Sequence, residues 1–127
     1  MVGPDFIPCF ESLVFKLPNN GSSVPWHRDG NPIPGNWRIF NVDIYLDDSR
    51  LENGCVWVVP GSHLWESERA NKTIQQGWEM FHLPGAVPAE VEAGDILLHH
   101  TKVLHGSQQN FNPQLRRVIY SDQRTPS

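Results

Sequence analysis

The sequence contains no apolar run that approaches the length of a membrane-spanning segment. Its first ten residues, Met1 to Phe10, hold two prolines and one acid and lack a basic region followed by an apolar one. No secretory signal is visible, so the predicted compartment is the cytoplasm. Cysteine is scarce: Cys9 and Cys55 lie far apart and form no CxxC pair, which favours two reduced thiols over a disulfide framework or a zinc knuckle.

Clustered positive charge is also missing. Lysine and arginine together number 10 against 14 acidic residues, a formal net charge of −4, and the only adjacent basic pair is Arg116–Arg117. Phosphate binding needs a basic surface, so we expect no nucleic-acid partner. The 127 residues suffice for one domain with a single core.

Long stretches of helical periodicity are scarce, whereas 11 prolines and 10 glycines divide the chain into short segments. This spacing favours an all-β sandwich or barrel. The segment Trp65–Phe81 is polar and free of proline, with Ile74, Trp78 and Phe81 at helical spacing, and fits a short helix or a mobile loop equally well. We predict strands at Ser12–Leu17, Val24–His27, Ile39–Leu46, Cys55–Pro60, Met80–Leu83, Asp95–His99, Gly106–Asn110 and Arg117–Asp122.

The predicted strand Ile39–Leu46 alternates apolar and polar side chains. Its polar side would face water in a solvent-exposed sheet, but would line the pocket if the inside of a barrel were an active site. In the second case the apolar side has to be covered from outside. The apolar side is Phe40, Val42, Ile44 and Leu46, and the polar side is Asn41, Asp43 and Tyr45.

The segment Trp26-His27-Arg28-Asp29 carries candidate metal ligands. In an extended strand, residues i and i+2 project to one face, so His27 and Asp29 can present an imidazole and a carboxylate to one point. A third nitrogen ligand from elsewhere would complete two histidines and one carboxylate with open positions opposite, the non-haem Fe(II) arrangement. The HxD pattern alone is short enough to arise by chance.

The downstream sequence adds context to this pattern. A turn and an apolar strand at Gly94-Asp95-Ile96-Leu97-Leu98 precede Leu104-His105-Gly106-Ser107, and Arg116 follows His105 by eleven residues. A guanidinium suits a carboxylate in a partly dry pocket because its planar fork donates two parallel hydrogen bonds and keeps its charge.

Taken together, these motifs resemble the phytanoyl-CoA dioxygenase family of Fe(II)/2-oxoglutarate oxygenases. The resemblance extends from about Leu13 to Asp122, in order and in spacing. It is carried by Trp26-His27-Arg28-Asp29, Tyr45-Leu46-Asp47-Asp48, Glu52-Asn53-Gly54-Cys55, Val59-Pro60-Gly61-Ser62-His63, Ala93-Gly94-Asp95, Leu104-His105-Gly106-Ser107, Asn110 and Leu115-Arg116.

The resemblance implies a double-stranded β-helix, or cupin-like jelly roll, spanning about residues 12–122 of a single catalytic core domain, 1–127. It implies that His27, Asp29 and His105 bind Fe(II), that Arg116 binds the distal carboxylate of 2-oxoglutarate, and that Ser107 assists. Asp43 takes a position near the cosubstrate where the family commonly has tryptophan. The implied activity is a dioxygenase that hydroxylates a small organic substrate with dioxygen, releasing succinate and CO2.

Family members are generally about twice this long, with N-terminal helices and strands packed outside the barrel. The apolar side of the strand Ile39–Leu46 would then face a layer that this chain does not contain. Exposed apolar strips of that kind usually mark an interface. We therefore expect a homo-oligomer that associates through Phe40, Val42, Ile44 and Leu46, and no membrane partner.

Two other functions use the same residues. One is a catalytically inactive jelly-roll module for binding or scaffolding, and the other is a zinc metallohydrolase, which Arg116 and the extended motifs disfavour. We interpret His63 as a loop residue, and His99 and His100 as structural, since at most one of these neighbours can approach the site. Trp37 and Trp78 are candidates for a pocket mouth, and Asp47–Asp48 is interpreted as a solvated turn.

Overall fold

The computed structural model describes residues 7–19, 22–29 and 38–125. Within them lie eight strands and one α-helix, which confirms the predicted all-β class. The elements are β1 (Ile7–Lys16), β2 (Val24–His27), β3 (Arg38–Tyr45), β4 (Val56–Val59), α1 (Ser67–Glu79), β5 (Val87–Ala89), β6 (Ile96–His100), β7 (Leu104–Ser107) and β8 (Arg116–Thr125).

The strands form two four-stranded antiparallel sheets. The order is β1-β8-β3-β6 in one sheet and β2-β7-β4-β5 in the other. Neighbours in each sheet are far apart in the sequence, so the chain crosses repeatedly between the two sheets, as a jelly roll requires. This topology brings β2, β7, β3 and β8 around one cavity.

The main apolar core lies between the β2-β7-β4-β5 sheet and helix α1. It consists of Trp26, Val59, Ala70, Leu83 and Leu104, all less than 5% exposed. Trp26 also donates a 2.7 Å hydrogen bond from its indole Nε1 to the carbonyl of Phe81. Because the polar atom of this large side chain has a partner, its burial carries no unsatisfied donor.

Helix α1 resolves the alternative that the sequence left open for Trp65–Phe81. Ala70 and Gly77 face the core, and a Cβ at Gly77 would lie 2.5 Å from Cδ1 of Trp26, so the helix can approach only because residue 77 has no side chain. Trp78, in contrast, is 69% exposed. No helix in the described part of the chain has both the length and the apolar composition to cross a membrane.

One predicted strand is wrong and another is displaced. Met80–Leu83 forms a turn, in which the amide of Leu83 donates to the carbonyl of Phe81, and β5 takes the place beside β4. The strand predicted at Gly106–Asn110 begins earlier and ends at Ser107. There the carbonyl of Gln108 accepts a hydrogen bond from Nζ of Lys16 instead of continuing the ladder.

Strand β3 has the two faces that its alternation predicted. Asn41, Asp43 and Tyr45 are each no more than 5% exposed and face the space between the sheets, while Leu46, just beyond the strand, is 40% exposed on the opposite side. Other apolar side chains continue this opposite side across the neighbouring strands. We call it the outer sheet face: Leu13, Phe15, Phe40, Val42, Ile44, Leu46, Ile96, Leu98 and Ile119.

Candidate metal centre and cosubstrate cavity

Strands β2 and β7 place two histidines opposite each other. His27 and His105 are directly paired in the antiparallel ladder, and their ring centroids lie 4.2 Å apart. The strands can approach this closely because Gly106 has no side chain: a Cβ there would lie 3.0 Å from the carbonyl oxygen of Val24. The register of a single strand pair therefore sets the spacing of the two imidazoles.

The backbone fixes the orientation of both rings in the same way. Nδ1 of His27 lies 2.8 Å from the carbonyl oxygen of Pro25, and Nδ1 of His105 lies 3.0 Å from that of Val103. In the neutral tautomer that donates from Nδ1, each Nε2 carries a free lone pair. A carbonyl hydrogen bond on the far nitrogen is the usual arrangement for a metal-binding histidine.

Asp29 completes the group two residues after His27. Its amide donates to the carbonyl of Thr101 at 2.8 Å, which holds the backbone beyond the end of β2. Its Oδ1 lies 3.2 Å from Nε2 of His27, and its Oδ2 lies 3.2 Å from Nε2 of His105. One ligand atom from each of the three residues lies within 4.8 Å of the others.

These distances fit one metal ion. Two ligands at right angles, each about 2.1 Å from an ion, lie about 3.0 Å apart. Two imidazoles and one carboxylate on one side of an ion leave its other side open, which is the arrangement of non-haem Fe(II) oxygenases. The structure thus brings together the three residues that the sequence indicated, and their donor atoms suit Fe(II).

Two further residues hold the Asp29 carboxylate. Oδ2 accepts a 2.5 Å hydrogen bond from Nδ2 of Asn41 and a 3.0 Å hydrogen bond from the hydroxyl of Tyr120. With two donors on Oδ2, Oδ1 is the oxygen better placed to bind a metal. Sequence reasoning put Asn41 on the inner side of β3 but missed Tyr120. The signal was available, since Tyr120 is four residues after Arg116 and therefore on the same strand face.

The three candidate ligands affect one another's protonation through hydrogen bonds and charge. Burial alone would raise the pKa of the Asp29 carboxyl, but hydrogen bonds and charges from His105 and His27 outweigh it and hold the pKa well below its usual range. The hydrogen bond to Asp29 raises the pKa of His27 against the opposing effect of burial. Burial, together with the Asp29 carboxylate, raises the pKa of the Tyr120 hydroxyl, which therefore stays a donor.

Arg116 lies in the same cavity, which has a volume of about 560 Å³. The side chain is only 3% exposed, and Nη2 donates a 3.0 Å hydrogen bond to the carbonyl of Gly54. Its Nε is buried without a hydrogen-bond partner in the described structure. A buried guanidinium that has an N–H group without a partner can bind a carboxylate through charge-assisted hydrogen bonds.

Ser107 and Asp43 line this cavity too, and both are at most 5% exposed. Oδ2 of Asp43 lies 3.4 Å from Nε2 of His99, whose ring centroid is 4.9 Å from that of His105. His99 therefore forms part of the cavity wall, whereas the sequence suggested a structural role. His100 faces the other way, with its ring 5.3 Å from that of His63, so one of the two neighbours approaches the site.

Two cavity residues had no assigned function at the level of sequence. Lys16 pairs directly with Arg116 across β1 and β8, and Nζ donates to the carbonyls of Ser22, at 2.9 Å, and of Gln108. Burial, aided by the charge of Arg116, lowers the pKa of Lys16 to about 8. Tyr45 is 1% exposed, and its hydroxyl has no hydrogen-bond partner among the described residues.

Arg117, Asp47 and Cys55 lie outside the cavity lining. Arg117 points away from it and donates from Nε and Nη2 to the Asp47 carboxylate, so Asp47 is half of an ion pair and not merely a solvated turn residue. Cys55 is a buried free thiol whose pKa burial raises to about 11. The side chain of Cys9, and Trp37 as a whole, lie outside the described residues.

Comparison with known proteins gives a family match over most of the chain. The family model described as phytanoyl-CoA dioxygenase (PhyH) matches residues 5–118. A similar curated protein, phytanoyl-CoA dioxygenase domain-containing protein 1 of Bos taurus, is 31% identical over 124 residues. Another, the probable alpha-ketoglutarate-dependent hypophosphite dioxygenase of Stutzerimonas stutzeri, is 29% identical over 122 residues.

Solved structures share the fold. The crystal structure of AviO1 from Streptomyces viridochromogenes Tue57 is similar with a TM-score of 0.80 and 33% identity, covering 96% of this chain and 52% of AviO1. The bovine and Stutzerimonas alignments cover 83% and 84% of this chain but 40% and 41% of those relatives. The chain thus spans about two fifths of the length of these curated relatives.

Proposed function

The chain belongs to the phytanoyl-CoA dioxygenase family, and from this premise we propose that it is the core of an Fe(II)- and 2-oxoglutarate-dependent dioxygenase. The proposed reaction hydroxylates a small organic substrate and releases succinate and CO2. The observation that carries the proposal is one cavity containing both the His27, Asp29 and His105 group and the buried Arg116. A metal at one point and a guanidinium at another are what a chelating 2-oxo dicarboxylate needs.

In this proposal His27, His105 and Asp29 hold Fe(II) through two Nε2 atoms and one carboxylate oxygen. Iron(II) and 2-oxoglutarate, when bound, supply the oxidising chemistry: dioxygen is consumed, the 2-oxo acid loses CO2 to leave succinate, and one oxygen atom goes to the substrate. Asn41 and Tyr120 keep the Asp29 carboxylate in one orientation through their hydrogen bonds to Oδ2. Supporting contacts of this kind commonly affect metal affinity strongly.

Arg116 binds the distal carboxylate of the cosubstrate, and Ser107 and Asp43 lie beside it. Arg116 and Ser107 are each 3% exposed, so water is largely excluded around them and the charge-assisted hydrogen bonds are strengthened. Asp43 is unusual, because a carboxylate here adds negative charge to a cavity that receives a dianion. A cavity of about 560 Å³ falls in the ordinary range for small-molecule sites.

Succinate formation by the purified protein tests this function. With Fe(II), 2-oxoglutarate and air, we expect uncoupled succinate release by the native chain and none by His27→Ala. His82→Ala is the matched control, since His82 is exposed, packs against Trp57 and lies outside the cavity. Oxygen-dependent succinate separates an oxygenase from a zinc hydrolase. If Fe(II) and 2-oxoglutarate bind but succinate never forms, the inactive binding module is the better account.

We also propose that copies of this chain associate through the outer sheet face. Its β3 side chains Phe40, Val42 and Ile44 are half-buried, and Leu46 is 40% exposed. The neighbouring strands add Leu13 at 49%, Ile96 at 56% and Leu98 at 52% exposure. A contiguous apolar face of this kind favours association. Light scattering at micromolar concentration tests it, and a clean monomer would count against it.

A further inference from the structure

The cosubstrate cavity contains two buried hydrogen-bond donors without partners among the described residues. They are the hydroxyl of Tyr45, which is 1% exposed, and Nε of Arg116, which is 3% exposed. Buried polar atoms in folded proteins are nearly always paired, because an unpaired one costs free energy. Two such donors in one cavity point to a ligand that accepts hydrogen bonds.

Strand pairing brings these two donors together. Tyr45 of β3 lies directly opposite Val118 of β8, and Arg116 is two residues from Val118 on the same face. Diagonal neighbours of this kind are within reach of each other when the side chains are long. Both side chains line the same cavity, and the charge of Arg116 acts on the Tyr45 hydroxyl.

Tyr45 also lies between Arg116 and the metal centre. Along β8, Val118 is midway between Arg116 and Tyr120, and the Tyr120 hydroxyl contacts Asp29. Arg116 and Tyr120 are roughly 13 Å apart along the strand, so the Cα of the residue opposite Val118, on the neighbouring strand, is roughly 8 Å from the Cα of either. A molecule that reaches from the metal to Arg116 passes in front of Tyr45.

The protonation state of Tyr45 suits this position. Burial, and next the charge of Asp43, raise the pKa of the Tyr45 hydroxyl above its ordinary value. The hydroxyl therefore carries its proton throughout the neutral range and can donate it to an anion. A carboxylate accepts several hydrogen bonds at once, so a guanidinium and a hydroxyl can both bind one.

We propose that the Tyr45 hydroxyl is a further binding group for the distal carboxylate of the 2-oxo acid cosubstrate, acting together with Arg116. This inference rests on the proposed function of the same cavity. A competing acceptor is Asp43, whose Oδ1 is also buried and has no hydrogen-bond partner among the described residues. One hydroxyl has one proton to donate, so only one of the two acceptors receives it at a time.

An anaerobic binding titration tests the proposal. The iron(II)-loaded protein is titrated with 2-oxoglutarate and with 2-oxopentanoate, which has the same carbon chain but no distal carboxylate, and the visible charge-transfer band is read. For Tyr45→Phe we expect the Kd of 2-oxoglutarate to rise roughly tenfold, the size expected for one hydrogen bond to a charged group. The Kd of 2-oxopentanoate should not change.

Tyr120→Phe is the matched control, because it removes a hydroxyl that contacts the metal ligand Asp29 and not the cosubstrate carboxylate. It should change the binding of both 2-oxo acids alike. Equal 2-oxoglutarate affinity in the native protein and Tyr45→Phe, or an equal loss for both probes, overturns the inference alone. If the native iron(II)-loaded protein binds neither acid, the proposed function fails and the inference fails with it. A thermal melt of Tyr45→Phe checks that the retained ring preserves the fold.

Discussion

The two faces of strand β8 carry side chains of opposite character. Arg116, Val118 and Tyr120 face the cavity, and the arginine is 3% exposed; Arg117 and Ile119 face outward, and the isoleucine is 36% exposed. Charged and hydroxyl groups are thus buried while an aliphatic side chain meets solvent. In an antiparallel sheet with one face in water, apolar side chains are usually buried and polar side chains face the solvent. This inversion fits the two proposals, a ligand in contact with the inner face and a second copy of the chain in contact with the outer face.

The same inversion runs across the whole sheet. On the outer side, Leu13, Ile119, Ile44 and Ile96 lie opposite one another in a row that crosses all four strands. On the inner side, the corresponding row one step away contains Ser12, Tyr120 and Asp43. Since cross-strand pairs are the unit of sheet stabilisation, each row has its own chemistry. Substitutions on one side should therefore leave the other side's property intact.

Arg116→Ala and Arg117→Ala make the sharpest test of this separation, because adjacent residues of one strand are changed identically. Arg116→Ala should raise the Kd of 2-oxoglutarate about a hundredfold, since a buried two-donor partner of a carboxylate is lost. Arg117→Ala should leave that Kd unchanged, because its guanidinium pairs with Asp47 outside the cavity. Isothermal titration of the iron(II)-loaded proteins measures both. Similar losses in the two variants would refute the assignment of the faces.

The outer sheet face gives the next largest effect. Ile119→Lys places a charge in the middle of the apolar row and should weaken self-association at least roughly tenfold, because burying an unpaired ammonium is costly. Its binding of 2-oxoglutarate should stay as in the native chain. Trp78→Lys is the control, since Trp78 is 69% exposed but lies on helix α1, away from this face. Sedimentation equilibrium measures the association constants of the two variants. An unchanged association constant for Ile119→Lys would exclude this face as the interface.

Asp43→Asn should have a smaller effect of opposite sign. The substitution keeps the shape of the side chain, which is 5% exposed, and removes a negative charge from a cavity that receives a dianion. We expect the Kd of 2-oxoglutarate to fall about threefold to fivefold, the scale of one partly screened charge interaction. A weaker affinity in the anaerobic titration would instead mean that the Asp43 carboxylate, beside His99, supports the cavity wall.

The sequence allowed the local half of this site to be predicted. His27 and Asp29 are two residues apart on one extended segment, so the period of a strand is enough to place them together. The roles of His105 and Arg116 were implied by the resemblance to the phytanoyl-CoA dioxygenase family. Tyr120 was missed because its contact with Asp29 joins residues 91 positions apart and depends on which strands pair. Pairing and register are set by the whole fold.

The errors in secondary structure have the same origin. Met80–Leu83 is apolar enough for a strand. The carbonyl of Phe81, however, accepts a hydrogen bond from the indole of Trp26, and the chain turns there. For Trp65–Phe81 the spacing fitted a helix and a loop equally well. Packing decides for the helix, in which Gly77 lies against the Trp26 ring because only a residue without a side chain fits there. Contacts between distant segments decided both cases.

Lys16 allows the smallest and most specific test, because it is a buried cation on the inner side directly opposite Arg116. Burial, and next the charge of Arg116, lower its pKa from 10.5 to about 8 in the folded protein. Between pH 8 and 10.5 the unfolded chain therefore binds more protons than the folded one at this residue, so its contribution to stability rises with pH. Lys16→Met lacks this contribution. We expect the melting temperature of the native protein, minus that of Lys16→Met, to be level below about pH 7 and to increase by a few degrees towards pH 9.

The raised pKa of the Cys55 thiol acts in the opposite direction above pH 9, but it is present in both proteins and cancels in the difference. A difference that stays level up to pH 9 would contradict this prediction. It would mean that the hydrogen bonds to the carbonyls of Ser22 and Gln108 fully offset the free-energy cost of burying the Lys16 ammonium beside Arg116.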